Sequence, residues 1–442
     1  MLKVFTNYFR SSLKRKRQAW YLYDWANSAY STTVITLFLG PFLTELAKSV
    51  SKNNLVSIFG VLVPAGSIFP YSISISVLLQ AFFLPLVGAI ADYTKYKNLL
   101  LALFTFIGAV STILFFVISG NIFLFGAVLL IISNVSFGAS VVIYNSLLNE
   151  ISTVNEREEV SSKGWAVGYI GGGLLLIFNL LIFTNNQSLG ISQDFSVRLN
   201  IALAGIWWGL FSLPVIFAFS NSKKANKGNT GNFSKKIFAN SFKQLIGTFK
   251  DAKNYPITLM FLLAYLFYND GVQSVISLSS QFGQEELHLN MLFLTIVILV
   301  VQFVAAFGAI LFLKLSKMFS EKKSILIAIT IWIFIIIYAF GFLKGQTDFF
   351  ILAMCIAIVM GGIQSISRSL YSKLIPQSKE SEYFSIYEIS EKGTSWLGPF
   401  AFGLTYQLTF SYRFAILSLL IFFLIGGLIL FFTKVNPSKE LI

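Results

Sequence analysis

Charged residues are scarce in this sequence. Only 12% of its 442 residues are Asp, Glu, Lys or Arg, whereas 56% are hydrophobic, and the mean hydropathy is +0.75. A soluble domain is usually about 25% charged, because its surface must interact with water. The composition therefore excludes a soluble protein of this size and indicates an integral membrane protein.

Cysteine and histidine are almost absent, with Cys355 and His288 the single examples of each. One cysteine excludes an intramolecular disulfide and a cysteine cage for a metal, and one histidine excludes a multi-histidine site. The sequence also lacks the HExxH and GxSxG motifs of metalloproteases and serine hydrolases. We therefore expect no enzyme activity, metal site or cofactor.

The chain has a net charge of +14 and a sequence pI near 9.6. A nucleic-acid ligand is not expected, because the basic residues cluster in alternate loops between apolar segments, as membrane topology requires. All but five of the 33 Lys and Arg fall on the side of the chain termini. This distribution predicts cytoplasmic termini, and the composition favours a bacterial inner membrane. The five basic residues on the opposite side are Lys48, Lys52, Arg198, Lys344 and Arg413.

Apolar runs of about 20 residues recur along the chain, which is the length that an α-helix needs to cross a bilayer. They predict twelve transmembrane helices, six on each side of a basic linker. The first six are 19–46, 70–91, 98–119, 122–148, 163–183 and 198–219. The second six are 256–281, 290–316, 325–343, 348–375, 383–408 and 411–433.

Three regions follow from this pattern. Residues 1–219 form an N-terminal six-helix bundle and 256–442 a C-terminal one. The basic linker 220–255 includes a weak amphipathic stripe that suits a helix on the membrane surface. Residues 47–69 are predicted to be an irregular loop or a short re-entrant piece.

The two halves resemble each other. EVSSKG at 159–164 and EISEKG at 388–393 lie near the start of the fifth helix of each half, and VGAIADYTKYK at 87–97 is echoed by FGAILFLKLSK at 307–317. A duplicated six-helix unit with a cytoplasmic linker is typical of secondary transporters with parallel repeats. The predicted fold class is an all-α membrane protein of two pseudo-symmetric six-helix bundles.

Each half carries an acid in its first helix. Asp24 is followed at helical spacing by Asn27, Ser28 and Ser31, and Asp270 by Gln273, Ser274 and Ser277. A charge in hydrocarbon costs about 2.5–3.5 kcal/mol, so both polar stripes are expected to face the protein interior or a watery cavity. Asp270 is the stronger candidate for binding substrate or a proton. Alternatively, Asp24 is an acid at the membrane interface that pairs with the helix dipole or with Arg17. The alternative role for Asp270 is that of a buried structural hydrogen-bonding group.

Other residues are candidates for substrate contact, gating or packing. Arg368 suits a substrate carboxylate or an inter-helix ion pair, and Tyr144 and Asn145 suit hydrogen bonds to substrate or to a neighbouring helix. The full set of binding candidates is Asp270, Asp24, Asn27, Asn269, Gln273, Tyr144, Asn145 and Arg368. The gating or latch candidates are Gly88, Asp92, Lys95, Lys97, Glu388 and Glu391. The helix-packing candidates are Gly164, Gly168 and Gly172.

Several motifs occur in order: YDWANSAY at 23–30, GAIADY at 88–93, YNSLLNEI at 144–151 and SSKGWAVGYIGGGLLL at 161–176. They continue with YNDGVQSVI at 268–276, GGIQSISRSLYSKLIP at 361–376 and EYFSIYEISEKGTSWLGP at 382–399. This set resembles the vacuole-effluxer-like family of the major facilitator superfamily. The likeness covers most of the chain outside the N-terminal tail and the linker.

The resemblance implies a twelve-helix major facilitator fold, alternating access and efflux of small solutes, with neutral amino acids the solutes associated with yeast-type relatives. The chain departs from the superfamily pattern at two places. Tyr93 and Lys95 stand where the loop after the second helix usually has a basic residue and a glycine, and Lys317 stands where relatives often have an acid. A symmetric pair of latches is therefore not assumed.

The predicted function is a secondary active transporter that exports or exchanges small polar or zwitterionic solutes, amino acids first, with protons as a candidate coupling ion. The alternatives are a lipid or drug exporter of the same fold and, from another class, a non-transporting receptor or scaffold. The expected partners are a small-molecule substrate and membrane lipids, and the expected state is a monomer.

Overall fold

The computed structural model describes residues 13–93, 97–118, 122–153, 156–220, 254–375, 387 and 395–434. The chain divides into two compact units. The first contains the described residues up to Leu46 and those from Leu79 to Ser220. The second contains Ala47–Leu78 and the described residues from Asn254 onward.

The first half of the chain is helical apart from one hairpin. Its helices are α1 Leu13–Ala29, α2 Leu39–Ser49, α3 Ile68–Tyr93, α4 Lys97–Ile113, α5 Phe123–Ser146, α6 Leu148–Ile151, α7 Arg157–Thr184, α8 Gln193–Phe211 and α9 Leu213–Ala218. A π-helical segment, Tyr30–Phe38, joins α1 to α2, and short 3₁₀ turns cover Ala65–Ser67 and Leu114–Val117.

The second half is helical in all its described elements. They are α10 Pro256–Leu287, α11 Met291–Phe319, α12 Glu321–Gly341, α13 Gln346–Leu374, α14 Leu397–Thr409, α15 Tyr412–Ser418 and α16 Leu420–Phe432. Polar residues fix several helix starts. Ser192, Asn290 and Ser411 each accept a hydrogen bond from the backbone N–H three residues later, which satisfies an otherwise unpaired donor.

The predicted membrane spans correspond to these helices. Within the described residues, ten helices are long and apolar enough to cross a bilayer. The predicted first span corresponds to the unbroken run α1, π-helical segment and α2, and α14 lies within the predicted eleventh span. The described helices are thus consistent with the twelve predicted positions, ten of them as helices of full span length. The predicted surface helix in the linker falls on residues 221–253, outside the described part.

Residues 47–69 contain a β-hairpin, and not the predicted irregular loop or short re-entrant piece. Strands β1 (Leu55–Ile58) and β2 (Val61–Pro64) pair antiparallel in register, with Val56 opposite Val63. Phe59 and Gly60 form the turn, with φ of 49° and 87°. Positive φ at both central residues is the requirement of the tight hairpin turn whose twist matches the strands. The prediction missed it because a short apolar run without charge gives no clear period.

The π-helical segment lies at the centre of the first span. Its wider turn is seen where the Leu39 N–H bonds to Val34 O and the Thr36 hydroxyl to Ser31 O, each five residues back. The hydroxyl of Thr32 donates to Ser28 O at 2.7 Å. Consecutive β-branched residues pack poorly in a regular helix, and π-helical turns occur often at functional sites. This irregularity therefore adds to the reasons for placing a site along α1.

Candidate functional site

Asp270 is fully buried in α10 and holds the beginning of α14. The backbone N–H of Gly398, the second residue of α14, donates to both carboxylate oxygens, at 3.2 Å to Oδ1 and 3.0 Å to Oδ2. The Ser274 hydroxyl lies 3.3 Å from Oδ1. A carboxylate at a helix N-terminus is stabilised by the unpaired N–H groups and by the helix dipole. Asp270 therefore ties α10 to α14.

Gly398 is required for this contact. A Cβ built on Gly398 would clash with Ser274 Oγ and would lie 2.9 Å from Asp270 Oδ1. The glycine thus lets the α14 backbone approach the acid closely enough to donate to it. The motif SWLGP supplies this glycine, but its role follows only from the position of α14 beside α10.

The other polar residues of α10 divide between two environments. Asn269 and Ser274 are buried, whereas Gln273 and Ser277 are only half-buried. Tyr268, also buried, forms a hydrogen bond of 2.7 Å with Ser367 of α13. Within the predicted polar stripe, Asp270 thus faces α14, whereas Gln273 is more exposed.

Asp24 lies in α1 and faces α7. Its side chain is half-buried, and a Cβ built on Gly164 would clash with its Oδ2. The Tyr144 hydroxyl lies near the carboxylate without forming a hydrogen bond of good geometry. Within the described part of the chain, no Lys or Arg forms an ion pair with Asp24. Asp24 is therefore more available than Asp270 to an external cationic group.

An aromatic stack joins α1 to α5 beside Asp24. The Tyr144 ring stacks on Trp20 and on Tyr23, with centroid distances of 4.5 Å and 4.6 Å, and Trp20 Nε1 donates to Tyr144 O at 3.2 Å. These contacts account for the complete burial of Tyr144, so its ring serves packing. The two neighbouring amide candidates differ, because Asn27 is buried and Asn145 is half-buried.

The two acids occupy equivalent places in the fold. In each half, the acid of the first helix faces the fifth helix: Asp24 faces α7 and Asp270 faces α14. Each contact includes a glycine, Gly164 in the first half and Gly398 in the second. The two acid–glycine contacts differ in one respect. The backbone N–H of Gly398 at the start of α14 donates to Asp270, whereas Asp24 lies against the side of the continuous helix α7.

The predicted glycine row of α7 contacts α1 and the start of the π-helical segment. A Cβ on Gly168 would lie 2.7 Å from Ser28 Oγ, whereas one on Gly172 would come no closer than 3.1 Å to Thr32 Oγ1. The tightest backbone approach is at Gly171, where a Cβ would lie 2.5 Å from Trp25 O and 2.8 Å from Trp25 Cα. Small residues at a helix interface allow such backbone proximity.

Replacing Gly171 by alanine is expected to lower the thermal stability of the purified protein. The added methyl group meets backbone atoms that cannot rotate away, and overpacking of this kind typically costs about 1–3 kcal/mol. Gly88→Ala is the matched control, because its Cβ would lie 3.4 Å from Val142 Cγ1, an ordinary contact. Equal melting temperatures for the two variants would contradict the packing described for α1 and α7.

An ion pair in each half joins the third membrane helix to the chain at the end of the fourth, on the side nearest the chain termini; in the first half its acid lies in α6, directly after α5. Lys97 Nζ lies 3.2 Å from Glu150 Oε1, and Lys373 Nζ lies 2.7 Å from Glu321 Oε1. In the first half the third helix carries the lysine of the pair, whereas in the second half the third helix carries the glutamate. The sequence identified Lys97 as a latch residue, but it did not identify Glu150, Glu321 or Lys373.

The remaining latch candidates are less informative. Gly88 packs on α5 with room to spare. Asp92 lies in α3, and its side chain is outside the described residues, as are Lys95, Glu388 and Glu391. Their predicted roles remain predictions. Arg368 lies in α13 with an exposed side chain.

Arg17 contacts the α6 region rather than Asp24. Its Nε donates to Ile151 O at 2.6 Å, and its Nη2 donates to Glu156 Oε2 at 2.8 Å. The Thr153 N–H, then Arg17 and the Thr153 hydroxyl, lower the pKa of Glu156 to about 2. Glu156 therefore stays charged until the pH falls toward 2, and this contact persists across the physiological range.

A family model described as "Vacuole effluxer Atg22 like" matches residues 12–153 and 149–441. The chain belongs to this family. The uncharacterized MFS-type transporter YxiO of Bacillus subtilis (strain 168) is 32% identical over 444 residues, covering 100% of this chain and 98% of YxiO. Autophagy-related protein 22 of Saccharomyces cerevisiae (strain ATCC 204508 / S288c) is 25% identical over 494 residues, covering 94% of this chain and 92% of that protein.

The solved structure of a point-mutant form of the nucleoside transporter NupG matches with a TM-score of 0.68 at 14% identity, over 96% of this chain and 100% of NupG. This likeness establishes the major facilitator fold. The Atg22-like chain is therefore an integral, multi-pass membrane transporter, and the family and fold class predicted from its motifs are confirmed. A transporter of this fold acts on a small-molecule substrate.

Sequence reasoning missed a repeated arginine in this Atg22-like transporter. Arg413 Nε donates to Glu286 Oε1 at 2.5 Å, Nη1 to Phe340 O at 3.0 Å and Nη2 to Leu343 O at 2.7 Å. In the first half, Arg198 Nη1 lies 3.4 Å from Phe116 O. Each arginine therefore lies within the first two turns of the sixth membrane helix of its half, and its side chain reaches the end of the third. The repeated tetrapeptides FSVR at 195–198 and FSYR at 410–413 are the signal that could have identified the pair.

Proposed function

We propose that this protein is a secondary active transporter that works by alternating access and exports or exchanges small zwitterionic solutes, neutral amino acids in particular. The observation that carries the proposal is the unequal pair of intramembrane acids. Asp270 is engaged by the N-terminus of α14, whereas Asp24 is half-buried and has no cationic partner among the described residues. An ionisable group held within a membrane span usually serves function.

Asp24 is assigned to the substrate. A carboxylate without a cationic partner suits the ammonium group of an amino acid, since a charge-assisted hydrogen bond is stronger than one between neutral groups. The nearby Tyr144 hydroxyl and the half-buried Ser28 add polar groups without adding charge. A site with one acid and no basic side chain would distinguish a zwitterion from a free anion.

Asp270 is assigned to the coupling ion. Protonation removes the charge that the Gly398 N–H and the helix dipole stabilise, and so weakens the attachment of α14 to α10. Proton binding would thereby change how freely the fifth helix of the second half moves. This assignment gives each acid one role, substrate for Asp24 and proton for Asp270.

The membrane orientation and the organisation of the chain form part of the same proposal. The bias of basic residues toward one side supports cytoplasmic termini and a location in a bacterial plasma membrane. The transporter acts as a monomer of two six-helix bundles, 1–219 and 256–442, joined by the linker 220–255. The family is described as vacuole effluxer Atg22 like, which supports export as the direction.

Thermal unfolding of the purified protein tests the substrate class. A ligand at 100 times its dissociation constant stabilises the folded state by about 2.7 kcal/mol. Neutral amino acids are therefore expected to raise the melting temperature, and their N-acetyl derivatives, which lack the ammonium charge, are expected not to. Asp24→Asn should abolish the increase without lowering the melting temperature of the ligand-free protein.

Two results would count against this assignment. Stabilisation by lysophospholipids or apolar drugs, without stabilisation by amino acids, would favour a lipid or drug exporter of the same fold. Equal stabilisation by the free and the N-acetylated amino acids would remove the role of Asp24 as the ammonium ligand. Asn27→Asp is a useful further variant, because it adds a second carboxylate one turn away and should strengthen the preference for cations.

A further inference from the structure

The hairpin β1–β2 has a firmly attached base. Val56 and Val63, which face each other across the two strands, are both buried. The Ala65 N–H donates to Asn54 O at 2.9 Å, and Asn54 Nδ2 lies 3.3 Å from the Tyr406 hydroxyl of α14. These contacts fix where the hairpin leaves the helices of its unit.

The tip of the hairpin is apolar and exposed. Phe59 at the turn has 101% of its reference surface exposed, and Val61 and Leu62 each have 60% exposed. Contiguous exposed apolar surface of this kind is unusual in water and marks a site of interaction. The tip therefore needs a partner that the described residues of its own unit do not provide.

The surrounding sequence indicates which partner this is. No Asp, Glu, Lys or Arg occurs between Lys52 and Asp92, so the hairpin belongs to the same uncharged stretch as the span α3. Exposed apolar side chains continue along α3 at Ile75, Leu79 and Phe82. A water-facing loop or a docking site for a charged protein would be expected to carry charges of its own.

The depth of insertion follows from the backbone. A two-stranded ribbon leaves unpaired N–H and C=O groups along both outer edges, and such groups are not tolerated facing lipid in the hydrocarbon core. Headgroups and interfacial water can satisfy them while apolar side chains reach the acyl chains. With about 3.3 Å per residue, a four-residue strand extends about 13 Å from its base, which is long enough to cross the interfacial region of one leaflet, about 5–8 Å thick.

We propose that the tip of the β1–β2 hairpin, Phe59 with Val61 and Leu62, inserts into the lipid headgroup–acyl boundary of the leaflet opposite the N-terminus. Lys52 at the base of the hairpin is placed to meet lipid phosphate groups. Because Asn54 ties the base to Tyr406 of α14, the insertion would anchor that end of α14 at the membrane surface.

The single native cysteine makes this proposal testable by site-specific fluorescence. In a Cys355→Ser background, a cysteine replaces Phe59 or, in a second variant, Leu62, and is labelled with an environment-sensitive dye. Ser188→Cys is the matched control, because Ser188 is exposed in the polar loop between α7 and α8 on the same side of the membrane. The labelled proteins are reconstituted in phosphatidylcholine–phosphatidylglycerol vesicles with iodide on both sides of the bilayer.

The dye at residues 59 and 62 is expected to show blue-shifted emission, strong quenching by bromine-labelled lipid chains and weak quenching by iodide. The dye at residue 188 is expected to show the reverse. Iodide quenching at residue 59 equal to that at residue 188 would overturn the proposal. Protection that disappears when the protein is diluted in excess lipid would also overturn it, since a second copy of the chain would then be the partner.

Discussion

Asp270→Asn is expected to abolish transport driven by a pH gradient while leaving exchange of substrate across the membrane. Asparagine has the shape of the protonated acid and can still accept a hydrogen bond from the Gly398 N–H, but it cannot release a proton. Exchange needs no net proton movement, so the variant should retain counterflow. Accumulation driven by a pH gradient of either polarity should fall to the level of protein-free vesicles, because the amide at this position neither binds nor releases a proton.

The matched control for this variant is Ser274→Ala. It removes the hydroxyl 3.3 Å from Asp270 Oδ1 but leaves both contacts of the carboxylate with Gly398. We therefore expect Ser274→Ala to keep its dependence on the pH gradient. Reconstituted vesicles preloaded with labelled amino acid measure both activities in one preparation. Gradient-driven accumulation that persists in Asp270→Asn would show that another group binds the proton.

Arg413→Met should strongly destabilise the protein. The side chain makes three hydrogen bonds, one to the Glu286 carboxylate and two to the backbone carbonyls of Phe340 and Leu343. Methionine keeps much of the apolar stem but loses all three, and it leaves a partly buried acid without its partner. We expect a loss of about 2–3 kcal/mol in the free energy of unfolding, measured by thermal or denaturant unfolding in detergent.

The internal repeat supplies the control for this prediction. Arg198 is the corresponding residue of the first half, but its ion-pair partner Asp194 is exposed and on the same helix, and its bond to Phe116 O is long at 3.4 Å. Arg198→Met is therefore expected to cost less than about 1 kcal/mol. Adding Glu286→Gln to Arg413→Met should restore part of the stability. Equal losses for the two arginine variants would contradict the geometry described for Arg413.

The membrane-spanning architecture was predictable from the sequence because bilayer thickness sets one length scale for every span. The family was predictable because its motifs lie within those spans, as YDWANSAY does in α1 and YNDGVQSVI in α10. The β1–β2 hairpin was not predictable on the same basis. Its strands are four residues long, and such runs do not distinguish a strand from a piece of buried helix.

The candidate site was predictable in its residues but not in its contacts. The cost of a charge in a membrane identifies Asp24 and Asp270 without a structure. The partner of Asp270 is a backbone N–H of Gly398, 128 residues away, and backbone donors leave no mark in a residue pattern. For the same reason, the carbonyl partners of Arg413 could not be inferred, although the repeated FSxR tetrapeptide could have identified the arginine itself.

Simultaneous recording of substrate and proton movement in reconstituted vesicles tests the central claim most directly. A pH-sensitive dye trapped in the lumen reports protons while labelled neutral amino acid reports transport. The account predicts that amino-acid flux through the wild-type protein moves protons, and that Asp270→Asn carries amino acid in exchange without moving them. Amino-acid flux without proton movement in the wild-type protein, or the same proton movement in Asp270→Asn, would contradict it.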